Sequence, residues 1–131
     1  MLKRILIAVL LAGLAGCSSV SERGDAAADV ALRLLTAVES KDGAAACATL
    51  APDTLAEVEE SAGQSCSQAI LDEDLPSPGT VTGTDVYGQV AQVRLTDDTL
   101  FLAAFPGGWR VLAAGCTSRG DQPYNCSVQG G

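Results

Sequence analysis

Pro76, Pro78 and Gly79 split this chain into two halves of different periodicity, and that break limits the fold more than any other feature. Proline lacks the N–H a helix needs and clashes with the preceding turn, so no helix runs through the segment. Apolar residues before the break recur at helical spacing, and those after it alternate as in strands. Helices first and strands second predict an α+β fold. The expected form has N-terminal helices packed on one face of a curved antiparallel sheet of about four strands.

Asp25 to Lys41 is predicted as a helix. Ala27, Ala31, Leu34, Leu35 and Val38 fall at i, i+4, i+7, i+8 and i+11 and share a face. Asp29, Arg33 and Lys41 point elsewhere. Asp42-Gly43 is expected to end this helix, because glycine is the usual residue past a helix C-terminus. Ala44 to Leu50 reads as a second short helix carrying Cys47. Thr54 to Ala62 reads as a third, with Leu55 and Val58 inward and Gly63 closing it. A last turn from Cys66 to Leu71 runs into the acidic triplet Asp72-Glu73-Asp74, which is expected to be a solvated helix end rather than a calcium loop.

Thr80 to Tyr87 has a strand composition. In Gln89 to Thr96, Ala91, Val93 and Leu95 alternate with Gln92 and Arg94, so one face of that strand is wet. Thr99 to Phe105 is apolar on both faces and is predicted as the central strand. Pro106-Gly107-Gly108 turns the chain into a strand from Trp109 to Cys116, and Pro123 to Val128 is a candidate short edge segment. Phe101, Phe105 and Trp109 are expected in the core.

Four cysteines lie in this region: Cys47, Cys66, Cys116 and Cys126. An even number in a small domain is expected to form two disulfides if the compartment is oxidising. Three pairings are possible. Cys47–Cys66 and Cys116–Cys126 are favoured because each closes a short loop inside one supersecondary unit. Zinc is excluded on spacing, since there is neither a Cys-x-x-Cys nor a histidine, and a redox dithiol fails on the same ground. No metal and no cofactor are expected.

The start of the chain resembles a bacterial lipoprotein leader. Lys3 and Arg4 are followed by an apolar run from Ile5 to Ala15, and Leu14-Ala15-Gly16-Cys17 resembles a lipobox. The apolar run is shorter than the ~20 residues a membrane-spanning helix needs. The resemblance implies a signal peptide over 1–16 and a lipidated Cys17 that carries diacylglyceryl and palmitate-type acyl groups. Residues 17–24 would form a tether and 25–131 a single domain. The expected location is the outer face of the cytoplasmic membrane, held by lipid within the cell envelope. Loss of Lys3 and Arg4 leaves six basic against sixteen acidic side chains. That balance excludes a nucleic-acid partner and disfavours a surface pressed onto anionic headgroups, so the lipid must provide the anchor.

The stretch Phe105-Pro-Gly-Gly-Trp-Arg-Val-Leu-Ala-Ala-Gly-Cys116 resembles the last hairpin of nuclear-transport-factor-2-like domains. Val90 to Leu95 and Leu100 to Phe105 are similar to the hairpin before it. The resemblance covers Asp25 to Gln129, and small actinobacterial lipoproteins share this look. It implies a cystatin-like cone, truncated here because an early strand between the helices is missing. Members of that fold include isomerases, dehydratases and many non-enzymes, so fold alone decides nothing. No catalytic constellation is legible. The leading expectation is a non-enzymatic domain that binds an envelope protein partner or a small apolar ligand. The alternatives are an isomerase or dehydratase with Asp85 as base beside Tyr87, and a purely structural envelope lipoprotein. Gly130-Gly131 is expected to fray.

Overall fold

A computed structural model of the protein describes residues 19–130. Four helices precede five strands: α1 (Val20–Glu39), α2 (Gly43–Cys47), α3 (Pro52–Ala62), α4 (Cys66–Asp72), β1 (Val81–Tyr87), β2 (Val90–Leu95), β3 (Thr99–Phe105), β4 (Gly108–Arg119) and β5 (Gln122–Gln129). The strands form one antiparallel meander in sequence order. The α+β architecture is the one predicted, and Thr99–Phe105 is the middle strand. The fifth strand is a full partner of β4 rather than a short edge segment.

The helix face read from the sequence is the one buried in α1. Ala27, Ala31, Leu34 and Leu35 are inaccessible to solvent and pack on β1, β2, β3 and β4. They meet Ala91, Val93, Leu100, Leu102, Val111, Ala114 and Val128 from the sheet. The centre is aliphatic throughout; every large, fully buried side chain is Leu, Ile, Val or Thr.

Helix α1 begins earlier than its apolar period predicts. The polar stretch from Ser18 to Gly24 reads as a tether in the sequence, yet the chain is helical from Val20. The Ser19 hydroxyl accepts from the Glu22 N–H at 3.1 Å, and the Glu22 carboxylate accepts from the Ser19 N–H at 3.3 Å. This reciprocal cap satisfies two N–H groups that would otherwise be free. Gly24 is buried beside Thr84 and Val86, so α1 already packs on the sheet ahead of Asp25. The leader 1–16 and Cys17 lie outside the described residues.

At its other end α1 is not closed by Gly43. Lys41 takes the left-handed conformation, with φ 60°. Gly43 opens α2 instead, where the absence of a side chain lets α2 lie directly on the backbone of Ser67 in α4. Cys47 of α2 is bonded to Cys66 of α4, with Cα atoms 6.1 Å apart, and Cys116 is bonded to Cys126 across β4 and β5 at 3.9 Å. Both are the local pairs. Disulfides of this kind persist in an oxidising, extracytoplasmic compartment. No helix among the described residues is long and apolar enough to cross a membrane.

The helical layer is also stitched to the sheet edge. Beyond the end of β5, residues 49–51 run parallel to β4. The Val111 N–H donates to Thr49 O at 2.8 Å, and the Ala51 N–H donates to Val111 O at 2.9 Å. The fully buried Thr54 hydroxyl donates to Leu112 O at 3.0 Å.

Candidate interaction surface

Strand alternation and register place one set of side chains on the face of the sheet away from the helices. Tyr87 lies opposite Val90, Val90 opposite Ala103, and Ala103 opposite Arg110. In the next row Asp85 faces Gln92, Gln92 faces Phe101 and Phe101 faces Ala113. Phe105 points the same way from the end of β3. Among the described residues helices cover the opposite face alone, which leaves this one open.

The sheet curls over that surface. Glycine 115 takes φ +64° within β4, a conformation that other residues adopt only with strain, and a Cβ there would stand 2.9 Å from both Leu75 and Ser127. Further register shifts occur between Phe101 and Leu102 and between Thr117 and Arg119, and such bulges bend a strand and increase its twist. The outer part of the β4–β5 ribbon folds back far enough for Tyr124 to reach two neighbouring strands. Its ring meets Phe101 edge-on with centroids 5.1 Å apart, and its hydroxyl accepts from the Gln92 side-chain amide at 3.2 Å.

Asp98 holds the bend. Its Oδ1 accepts from the Thr99 N–H at 2.8 Å and the Cys116 N–H at 3.0 Å, and its Oδ2 accepts from the Gly115 N–H at 3.1 Å. The side chain is buried, and burial raises its pKa above the ordinary 3.8 despite the three N–H donors, which act to lower it. A raised native pKa means that the folded state binds the proton more tightly than the unfolded one. This contribution to stability is therefore complete below 3.8 and is lost as pH rises through the native value. Asp98→Ala leaves three backbone N–H groups without their acceptor and is expected to cost about 3 kcal/mol in urea unfolding. A cost under about 1 kcal/mol would show that water replaces the carboxylate. Asp98→Asn cannot titrate, so the wild type should lose stability relative to it as pH rises above 3.8 and through the raised native value.

Asp85 does not occupy the enclosed position that a catalytic base requires. Its side chain is 41 % exposed, and its carboxylate is paired with the Arg94 guanidinium, which is 40 % exposed. That partnership raises the Arg94 pKa further above its usual value, with Tyr87 and Tyr124 adding smaller effects. Tyr87 shares the face with Asp85, as period-two spacing predicts, but stands 68 % exposed. The pair belongs to an open surface.

The core placement expected for the aromatics is corrected in two cases. Phe101 and Phe105 are half-buried on the helix-free face, and only Trp109 packs against the core. Gln92, Arg94 and Tyr124 also belong to this surface. The wet positions of β2 signalled the first two, but Tyr124 gave no signal because its role depends on the curl.

Two open clefts mark the surface elsewhere. One of about 350 Å³ lies between α3 and the end of β5, lined by Glu57, Val58, Ser61, Glu73, Ser127 and Gln129. Burial, together with neighbouring Asp72, raises the Glu73 pKa there. The other, about 300 Å³, is lined by Asp74, Asp97, Asp98 and Thr117 among others. Neither is an apolar chamber, and no cluster of metal-binding side chains occurs among the described residues. No family model, curated protein or solved structure matches the chain.

Proposed function

We propose that this is a lipid-anchored envelope domain, held through Cys17, that binds a protein partner with the helix-free face of its sheet. The observation that carries the reading is where the aromatic side chains lie. The chain has two Phe, two Tyr and one Trp, and all except Trp109 lie on or over that face while the core is aliphatic. Aromatic and arginine side chains, offering large contact area with a polar handle, concentrate at protein interfaces. Phe101, Tyr124, Gln92 and the Asp85–Arg94 pair supply that mixture on an otherwise strongly acidic domain.

A protein partner is favoured over a small apolar ligand because the two described clefts are open and lined largely by acidic and hydroxyl side chains. The likeness to nuclear-transport-factor-2-like domains is compatible with helices on one side of a curled sheet, and binding without catalysis is common in that fold. The reading is tested by placing a photo-crosslinking amino acid at Gln92 in the membrane-resident protein. A discrete adduct with one protein is expected from Gln92, lost on Arg94→Glu and kept on Asp29→Lys, a change on the exposed side of α1. Equal, diffuse labelling from Gln92 and from a probe at Asp29 would sink the proposal.

A further inference from the structure

An antiparallel meander has two ends, and here they differ in chemistry. The β1–β2 turn at Gly88-Gln89 and the β3–β4 turn at Pro106-Gly107 lie at one end. The β2–β3 and β4–β5 turns lie at the other. The first end carries no charge in either turn, from Tyr87 to Val90 or from Phe105 to Trp109. The second carries Asp97, Asp98, Arg119 and Asp121.

Helix α1 starts at the uncharged end. Arg23 donates to Gly88 O at 2.6 Å, and its guanidinium carbon stands 5.4 Å from the centre of the Trp109 ring. The described residues include three exposed large hydrophobic side chains: Val20 at 66 %, Tyr87 at 68 % and Val90 at 42 %. All three are at this end, on α1, β1 and β2, beside the exposed Pro106 and the half-buried Phe105. The charged groups nearby include Arg23, Glu22, Asp25 and Arg110; Glu22 is turned back onto the Ser19 N–H, and Arg110 donates to Ala48 O. Cys17 precedes Ser19 by two residues, so their Cα atoms are at most about 7 Å apart.

We propose that this end of the domain docks on the lipid surface, with Val20, Tyr87, Val90, Phe105 and Pro106 entering the boundary between headgroups and acyl chains. The inference rests on the anchoring of Cys17 and adds an orientation to it. No slack chain separates the lipid from the first turn of α1, so the anchor holds this particular end at the bilayer. Tyr and Trp are side chains whose apolar bodies and polar tips suit a membrane interface, and side chains seated there reach ~5–10 Å below the surface. The acidic far end, with Asp97 and Asp121, then points away from the headgroups. Phe101 and Tyr124 stay clear of the membrane and open to a partner.

Trp109 is the only tryptophan and reports on this end. The full-length lipidated protein is reconstituted into phosphatidylcholine vesicles, some containing lipid brominated near the headgroup, and mass spectrometry records the lipid on Cys17. Bromolipid should quench Trp109 fluorescence. Tyr87→Asp with Val90→Asp should weaken the quenching about threefold, with the Cys17 lipid and the circular dichroism unchanged. Val20→Asp provides a second arm on another element. An acidic residue suits the first turn of a helix, so this variant keeps its fold and should also reduce quenching. Lipidated protein that shows no quenching, or quenching unmoved by either variant, overturns the docking and leaves the anchor intact. Protein that carries no lipid on Cys17 overturns both.

Discussion

The Cys17→Ser protein is expected to incorporate no fatty acid and to be released from membranes. Thioether formation on a diacylglyceryl group needs a thiol, and a serine hydroxyl at the same position is not an equivalent nucleophile at neutral pH. On the anchoring proposal, Leu14-Ala15-Gly16 before Cys17 would supply the cleavage site. The other four cysteines offer no substitute, being bonded as Cys47–Cys66 and Cys116–Cys126. The consequence for location is large. One acyl chain binds a bilayer only marginally and reversibly, while two or more hold a protein in place. Growth with radiolabelled palmitate should label the wild type alone. Equal incorporation in both proteins would remove the basis of the anchoring proposal.

Gly43→Ala is expected to be the most damaging single-methyl change in the domain. A Cβ at residue 43 would lie 1.8 Å from the Ser67 carbonyl oxygen and 2.7 Å from its carbon. These are backbone atoms of α4, so no rotamer change relieves the contact; the two helices must separate. They cannot separate freely, because Cys47 and Cys66 join the same pair of helices. Ala46, Cys47, Ala69 and Ile70 would lose contact within the buried cluster as α2 lifted. Overpacking in interiors costs typically ~1–3 kcal/mol, and a backbone clash between covalently joined helices should reach the top of that range. The urea midpoint of Gly43→Ala should fall accordingly. Gly63→Ala is a useful contrast: it also places a side chain where φ is +65°, but nothing lies near its Cβ. A loss smaller for Gly43→Ala than for Gly63→Ala would mean that α2 and α4 are not in backbone contact.

These two glycines show where reading the sequence succeeds and where it stops. Gly63 ends α3 in the left-handed conformation, and its place after Ala62 was enough to assign that role. Gly43 follows α1 in the same manner and invites the same assignment, yet Lys41 makes the turn and Gly43 serves a contact with a helix more than twenty residues away. Local chemistry permits both roles. The distinction arises from the distance to Ser67, which no local pattern encodes.

The candidate surface divides in the same way. Alternation in β2 placed Gln92 and Arg94 on a wet face, and period two put Asp85 and Tyr87 together. Their strand register then sets Arg94, opposite Gly83, diagonally beside Asp85, opposite Gln92, and the two side chains pair. Phe101 looked like a core residue because Thr99 to Phe105 is apolar on both faces. Only the absence of helices from one face leaves Phe101 half-exposed beneath Tyr124.

Periodicity, proline breaks and cysteine spacing determined the α+β order, the buried stripe of α1 and the central place of β3, because each depends on residues near one another in the chain. The Ser19–Glu22 cap was equally local and available, although the apolar period placed the helix start at Asp25. Tertiary structure alone decided which face of the sheet stays open, which end of the meander receives the start of α1, and how far β5 curls. Those outcomes follow from a buried carboxylate at Asp98 gripping the backbone of Gly115 and Cys116 seventeen and eighteen residues away, and from Arg23 reaching Gly88 across sixty-five. Contacts of that range are selected by packing of the whole domain, so they have no signature in any short window of sequence.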